Sequence, residues 1–308
     1  MNYYEEIKQE LINNEVYKSV KDYSKNRSDL TTYYNVGKLL IEAQGGLDRN
    51  EYGNNLIKDY ALKLTKELGK GYSWRSLYNM RLFYAKFSNN EILQTLSAKL
   101  TWSHFTELLK MNDINKINYY IRITEEQNLS VRELRNRIKN NEYERIDDNT
   151  KEKLITKEKL ITKEELLPQD FIKNPILIKN SYDYELIPEK ILKQLILEDI
   201  DSFLKELGSG FCYIENEYKI KLGDRYNYID LLLFNYIYNC FVVVELKVSE
   251  LKKEHIGQIN LYMNYIDKNV KNIYQDKTIG IIICKRDNKF AMEYCSDDRI
   301  YRTTYVLN

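Results

Sequence analysis

Residues 228–247 read YIDLLLFNYIYNCFVVVELK, and this stretch decides how the C-terminal half of the chain is interpreted. Two apolar runs rich in β-branched and aromatic residues flank a short polar break at residues 235–239. Runs of this length and composition predict two buried strands of a β-hairpin. Each run nevertheless carries an acid, Asp230 early in the first and Glu245 late in the second.

The register of this hairpin can be predicted from the position of its turn. A turn centred between Ile237 and Tyr238 places Asp230 directly opposite Glu245, close enough for the two carboxylates to share a divalent cation. Lys247 points to the same face as Glu245, because side chains alternate along a strand. A bulge or a longer loop would shift this register.

An acid pair with a neighbouring lysine indicates a particular chemistry. Neighbouring carboxylates repel each other and burial disfavours their ionised forms, so a bound cation would remove a penalty. Hard oxygen ligands suit Mg²⁺ or Mn²⁺. A lysine beside them can position a water and offset charge on a phosphate. The pattern therefore favours metal-assisted phosphodiester hydrolysis; the alternative is an exposed hairpin end with ordinary charges.

Composition sets limits on the class of protein. The chain has 308 residues, 43% of them hydrophobic and 30% charged, which is typical of a globular protein long enough for two domains. Its net charge of +1 gives no basic signature, so nucleic-acid contacts must come from local patches. Four widely spaced cysteines and two histidines argue against a zinc site and fit a reducing cytoplasm. No signal peptide or apolar run near 18 residues is present, so we expect a cytoplasmic protein without a membrane span.

The first half of the chain predicts helices only. A helix over residues 54–68, a glycine-containing turn and a second helix over 74–87 capped by Ser73 resemble a helix-turn-helix. Ser130 and Glu133 form a capping-box pattern for a helix over 131–141. This last helix carries Arg132 and Arg135 on one face, which could contact phosphates or could equally be a solvated surface.

The second half changes character after a charged repeat of period six. We predict an N-terminal domain over residues 1–145, a linker over 146–167 and a C-terminal domain over 168–308. The C-terminal pattern is a helix at 189–207, a strand at 211–222, the hairpin, a helix at 251–267 and strands at 278–285 and 300–306. This order predicts an α/β domain with a mixed sheet.

The motifs in this order resemble the PD-(D/E)xK nuclease superfamily, and the whole chain resembles its bacterial YhcG-type branch. The C-terminal resemblance rests on YIDLLLF, VVELK, HIGQINLYMNYID and IGIIICK, and the N-terminal one includes EYGNNLIKDYALKLTKELGKGYSWRSLYNMRLFY. It implies an all-α N-terminal domain with helix-turn-helix character followed by a restriction-endonuclease-like α/β domain with a mixed central sheet.

The resemblance also implies roles for single residues. Asp230 and Glu245 would bind the metal, Lys247 would be the catalytic lysine, and Gln258 would be the polar catalytic residue of the following helix. Glu198 in the first helix of the domain would complete the metal shell, with Asp199 or Asp201 as alternatives. Ile229 stands where the motif name has a proline, a position at which the superfamily varies.

The implied activity is that of a DNA endonuclease dependent on Mg²⁺ or Mn²⁺, with the N-terminal domain binding DNA or a partner. The alternative is a non-catalytic DNA-binding or scaffold protein that retains the fold, and an RNA-directed nuclease is a third interpretation. A homodimer would suit a site that cuts one strand. The candidate DNA contacts are Lys70, Arg75, Arg81, Arg132, Arg135, Lys252 and Lys253.

Overall fold

A computed structural model describes residues 2–20, 25–46, 53–69, 71–88, 100–148, 150–151, 172–180, 187–293, 295 and 297–308. The chain divides into two compact units, Met1–Tyr143 and Glu144–Asn308. Among the described residues no helix is both long enough and apolar enough to cross a membrane. Most of the predicted linker at 146–167 lies outside the described residues.

The first unit is helical over its described ranges, as the sequence predicts. Its helices are α1 (Tyr3–Val20), α2 (Lys25–Ala43), α3 (Gly53–Leu68), α4 (Trp74–Phe87), α5 (Trp102–Leu108), α6 (Ile114–Gln127) and α7 (Val131–Lys139).

Local signals in the sequence set where these helices begin. Ser73 accepts a hydrogen bond from the Ser76 amide at the start of α4, so the predicted N-cap is confirmed. Ser130 and Glu133 exchange the two hydrogen bonds of a capping box at the start of α7. These caps satisfy amides that a helix leaves without partners at its first turn, which fixes where the chain enters each helix.

The second unit is built from strands and helices in the order β1 (Ile176–Ile178), α8 (Glu189–Glu198), α9 (Ile200–Leu207), β2 (Phe211–Leu222), β3 (Arg225–Asn235), β4 (Cys240–Glu250), α10 (Lys253–Asn269), β5 (Ile279–Arg286), α11 (Lys289–Glu293) and β6 (Ile300–Leu307). The strand β1 was not predicted from the sequence. The predicted helix at 189–207 is two helices, because Asp199 leaves the helical conformation at φ −136° and ψ 54°.

One six-stranded sheet organises this unit, in the order β1-β6-β5-β4-β3-β2. The strands β2, β3 and β4 pair antiparallel, whereas β4, β5, β6 and β1 pair parallel, so the predicted mixed sheet is confirmed. Residues of α8 and α9 cover one face, with Leu192 and Leu195 among the buried ones. Residues of α10, including Ile259 and Met263, cover the other face. Both faces of the central strands are therefore buried, as expected of a sheet with helices on either side.

The sheet divides into two branches at the two acids of the hairpin. β3 pairs with β4 from Leu231 opposite Val244 to the turn, which confirms the predicted register over that span. Within the described sheet, β3 pairs only with β2 before Leu231, and β4 pairs only with β5 after Val244. Asp230 and Glu245 occupy the next position along, where the ladder between β3 and β4 has ended. The fold therefore opens a cleft in its sheet at the predicted site.

Candidate active site

Asp230 lies at the opening of this cleft with both carboxylate oxygens engaged. Its Oδ2 accepts a hydrogen bond of 2.9 Å from the Leu246 amide, just beyond the end of the β3–β4 ladder. Its Oδ1 lies 2.6 Å from the Nζ of Lys193 on α8. Asp230 is thus fixed by one backbone amide and one ammonium, and it is 7% exposed.

Glu245 is the most deeply buried acid of the site, at 1% exposure. Its Oε2 accepts a hydrogen bond of 3.1 Å from the Lys247 Nζ, as expected for residues on one face of a strand. Burial and, after it, the neighbouring Asp230 carboxylate raise the pKa of Glu245 from 4.5 to about 7. Near neutral pH this side chain therefore exchanges a proton readily.

Lys247 connects the two acids to a third one. Its Nζ lies 3.9 Å from Asp230 Oδ2 and 3.6 Å from Oε1 of Glu189, the first residue of α8. Burial alone would lower the pKa of Lys247, but Glu245, Asp230 and Glu189 outweigh it and raise that pKa. The ammonium is therefore kept charged inside a largely closed site. The same charge, after burial, lowers the pKa of His255 at the start of α10.

Two residues of this cluster, Glu189 and Lys193, were not singled out in the sequence. They lie four residues apart, so they share one face of α8. Lys193 also approaches Glu217 of β2 at 3.3 Å, and this carboxylate together with Asp230 raises its pKa against the opposing effect of burial. The sequence feature that could have identified them is an acid and a lysine one turn apart in a helix with an apolar face that includes Leu192 and Leu195.

The structure does not bring Glu198 to the cluster. Glu198 is exposed at the last turn of α8 and accepts a hydrogen bond from Gln194. It lies nine residues after Glu189, and at 1.5 Å per residue this is about 13 Å along the helix. The acid of the first helix that approaches the site is therefore Glu189, at its opposite end.

Gln258 lies on α10, the helix that follows the strand carrying Lys247. Its Nε2 donates a hydrogen bond of 3.0 Å to the Tyr262 hydroxyl, one turn further along. His255, one turn earlier, accepts a hydrogen bond from the Lys252 amide through Nδ1, which leaves Nε2 to carry the proton of the neutral ring. Lys247 acts electrostatically on His255, whose pKa is lowered by burial and, after it, by this charge.

The donor set fits a divalent cation only in part. Asp230 and Glu245 offer hard carboxylate oxygens, and the raised pKa of Glu245 reflects its burial beside a second carboxylate, an environment that a divalent cation would stabilise. Within the described ranges, no group of three or more His, Cys, Asp or Glu side chains is arranged to hold a metal. The two carboxylates would therefore need waters or substrate oxygens to complete the coordination, which is the usual arrangement for Mg²⁺.

The candidate DNA contacts fall into different environments. Arg75 and Arg132 are exposed, as are Lys252 and Lys253 at the start of α10. Arg135 is exposed but pairs with Glu107 at 2.7 Å.

Arg81 does not lie on a DNA-accessible surface. It is 8% exposed, and its Nε donates to Gln44 at 2.6 Å, so its prediction as a surface contact was wrong. Arg81 was a candidate only because it lies on the second helix of the predicted helix-turn-helix, and a position on that helix does not show which face is exposed. Lys70 lies outside the described residues.

Comparison with known families covers both halves of the chain. Residues 169–306 match the YhcG PDDEXK nuclease domain, and residues 7–145 match the DUF1016 N-terminal domain. The C-terminal half of the chain is therefore a YhcG-type PDDEXK nuclease domain. The cluster of Asp230, Glu245 and Lys247 thus lies within the nuclease domain of a YhcG-type protein.

The chain is also similar to individual proteins. It is 26% identical over 283 residues to "Putative nuclease YhcG" of Escherichia coli (strain K12), covering 82% of this chain and 76% of that protein. A repair endonuclease from Pyrococcus abyssi matches 40% of the chain at 21% identity, with a TM-score of 0.29. The EndoMS-dsDNA2 complex matches 41% at 19% identity, with a TM-score of 0.30. The chain spans about half the length of each of these two structures.

Proposed function

We propose that this YhcG-type protein is a metal-dependent DNA endonuclease that hydrolyses phosphodiester bonds in the cleft between β3 and β4. The observation that carries the proposal is the contact of Lys247 with Glu245 and Asp230 inside that cleft. Two apolar side chains at the positions of these acids would cost less free energy to bury. A cluster of two buried acids and two lysines costs folding free energy, and such a cost is typical of functional sites.

Each residue of the cluster has a chemical part in this proposal. Asp230 and Glu245 would hold Mg²⁺ or Mn²⁺, with Glu189 at the edge of the site. The bound ion would polarise a phosphate oxygen and acidify a water. Lys247, kept charged by its carboxylate neighbours, would orient the attacking water and offset negative charge on the phosphate.

Proton movement in this site would centre on Glu245. With a pKa of about 7, Glu245 would hold or release a proton near neutral pH, and its ionised form would be the one able to bind a divalent cation. Lys193 lies 2.6 Å from Asp230 Oδ1 and would have to release this oxygen for it to bind a metal. Gln258 and the neutral His255 ring, on the first turns of α10, would contact substrate or solvent at the same opening.

DNA would also be held outside the cleft. Lys252 and Lys253 stand at the N-terminal end of α10, where the helix dipole also favours an anion. In the N-terminal domain, the exposed Arg75 of α4 and Arg132 of α7 would contact phosphates. A homodimer would allow both strands of a duplex to be cut, and its presence can be read from the sedimentation of the intact protein.

The test is a titration of plasmid nicking with Mg²⁺ and Mn²⁺. We expect metal-dependent nicking by the parent chain, and a loss of about 10² to 10⁴-fold in Lys247→Ala and in Asp230→Asn. Lys268→Ala, the same change at an exposed position of α10, is the matched control and should cleave as the parent does. Comparable nicking by Asp230→Asn and the parent would refute the assignment. A parent that binds DNA tightly but never nicks it would favour the scaffold alternative.

A further inference from the structure

The β2–β3 hairpin extends past the cleft as an arm of residues 218–229, paired on one side only within the described sheet. The strand order places β2 at the edge of the sheet, and the β3–β4 ladder ends before this part of β3. One face of the arm is buried, because Ile220 and Ile229 pack in the core beneath α10. The other face is left to solvent.

That outer face presents two lysine–tyrosine pairs. Lys219 is opposite Tyr228 and Lys221 is opposite Tyr226 across the two strands. Tyr226 is 56% exposed and Tyr228 is 53% exposed, although an aromatic side chain on a stable hairpin usually lies against other apolar groups. Exposed aromatic rings grouped in this way mark a binding surface more often than isolated ones do.

The charges of the outer face are positive and adjoin the rings. The Nζ of Lys219 lies 4.0 Å from the centroid of the Tyr226 ring, and that of Lys221 lies 6.0 Å from it. Arg225 is exposed at the end of the arm, next to one acid, Asp224. Rings flanked by ammonium groups suit a ligand with both flat aromatic faces and negative charge.

The position of the arm relates this surface to the cleft. Tyr228 precedes Asp230 by two residues and Tyr226 by four, so at about 3.3 Å per residue they lie about 7 and about 13 Å from it along β3. A nucleic-acid chain that ran along β3 with one phosphate at Asp230 would therefore pass its neighbouring nucleotides over these two rings. A duplex hides its base faces by stacking, whereas unpaired nucleotides expose them.

We propose that the arm is a stacking platform for unpaired nucleotides beside the scissile phosphate, so that the nuclease acts on single-stranded DNA or on single-stranded flanks of a duplex. This inference rests on the proposed function and names its substrate class. Tyr226 and Tyr228 stack on bases, and Lys219 and Lys221 contact the adjoining phosphates. The surface shares no residue with the acid and lysine cluster of the cleft.

The test is binding of fluorescently labelled oligothymidylate and of a labelled hairpin duplex, measured by anisotropy in EDTA to prevent cleavage. The double variant Tyr226→Ala/Tyr228→Ala should bind oligothymidylate at least about 25-fold more weakly, since each of the two stacked rings contributes about 5- to 150-fold. Its affinity for the duplex should stay near that of the parent. Tyr226→Phe/Tyr228→Phe should restore binding, because stacking needs the ring and not the hydroxyl.

Two further comparisons make the assignment specific. Tyr236→Ala/Tyr274→Ala removes two tyrosines of even greater exposure elsewhere on the same domain and should bind as the parent does. Lys219→Ala/Lys221→Ala should reduce the salt dependence of oligothymidylate binding by about 1.4 in log–log slope, because two phosphate contacts are lost. Thermal melting of each variant verifies that these surface changes leave folding intact.

The outcomes separate this inference from the nuclease assignment. Parental affinity for oligothymidylate in the Tyr226→Ala/Tyr228→Ala variant would overturn the inference, even if the parent nicks plasmid with Mg²⁺. Equal losses on oligothymidylate and duplex would also overturn it, because the arm would then bind duplex. A selective loss on oligothymidylate would support it even if no nicking were found, and only the nuclease assignment would fail.

Discussion

Replacing Glu245 by glutamine should change how the stability of the C-terminal domain depends on pH. The pKa of Glu245 is about 7 in the folded chain, against the ordinary glutamate value of 4.5 expected in the unfolded chain. Below pH 4.5 the side chain is protonated in both states and carries no penalty. Between pH 4.5 and 7 the unfolded chain ionises first, so the folded state loses stability as pH rises. Above pH 7 Glu245 is ionised in both states, so the folded state bears the whole free-energy cost of its buried charge.

The size of this effect follows from the difference of about 2.5 between the two pKa values. At about 1.36 kcal/mol for each pH unit, the penalty at pH 8 is about 3 kcal/mol. Glu245→Gln keeps the shape of the side chain and cannot ionise. The attraction of Lys247 acts on the ionised Glu245 and is already included in the pKa of about 7, whereas the new hydrogen bonds of the neutral glutamine change the stability by an amount that does not depend on pH. The quantity to compare is therefore the change in the free energy of unfolding with pH. Between pH 4.5 and 8 this free energy should fall by about 3 kcal/mol more in the parent than in the variant.

The assay is urea denaturation in EDTA at pH values from 4.5 to 8, with far-ultraviolet circular dichroism to follow the sheet. The two tryptophans, Trp74 and Trp102, both lie in the N-terminal unit, so their fluorescence follows that unit separately. Glu215→Gln is the matched control, because Glu215 is exposed on β2 and its substitution should give a profile parallel to that of the parent.

A profile for Glu245→Gln parallel to that of the parent would refute the reasoning, because Glu245 would then titrate alike in both states. Addition of Mg²⁺ at pH 8 gives a second check. It should stabilise the parent through binding to the folded state and stabilise Glu245→Gln less, since one carboxylate ligand is missing. Equal stabilisation of the two proteins would mean that the ion binds elsewhere.

Two other predictions concern the surroundings of the site. Lys193→Ala should tighten Mn²⁺ binding, measured by calorimetry, by about tenfold, because an ammonium 2.6 Å from Asp230 no longer competes for the carboxylate. Lys190→Ala, a change at an exposed position of the same helix, should leave the Mn²⁺ affinity unaltered. Weaker Mn²⁺ binding in Lys193→Ala would contradict the prediction. Gly280→Ala should destabilise the domain by about 1–3 kcal/mol in urea, because the added Cβ would lie 2.5 Å from Met263 Sδ and 2.9 Å from Ile259 Cδ1. The same change at Gly257, within α10 and facing open space, should stabilise the domain by about 0.5–1 kcal/mol, and destabilisation there would contradict this reasoning.

The hairpin could be predicted from the sequence because two signals agree there. The apolar runs fix which residues are buried, and the short break fixes the turn, so a single register satisfies both. That register holds from Leu231 opposite Val244 to the turn. The caps at Ser73 and Ser130 were predictable for a similar reason, since each depends on residues three positions apart.

The acids outside the hairpin were harder to assign, because their positions depend on how helices pack on the sheet. Periodicity in residues 189–207 gives one apolar stripe but does not show which end of it lies over the cleft. The break at Asp199 and the burial of Leu192 and Leu195 set that orientation, so that Glu189 and Lys193, rather than Glu198, approach the cluster. β1 could not be predicted because a strand of three residues is too short to show an alternation of apolar and polar side chains.

The charges of the cleft offset part of the cost of burying its acids. Lys193 and Lys247 each lie within ion-pair distance of Asp230, and Lys247 also pairs with Glu245. Because the pKa of Glu245 is raised, one proton further reduces the negative charge near neutral pH. Admission of a divalent cation would then require Glu245 to lose this proton and Lys193 to release Asp230. The cation would also compete with Lys247 for both carboxylates, so the ammonium would be free to contact a phosphate at the moment when substrate and cation are both present.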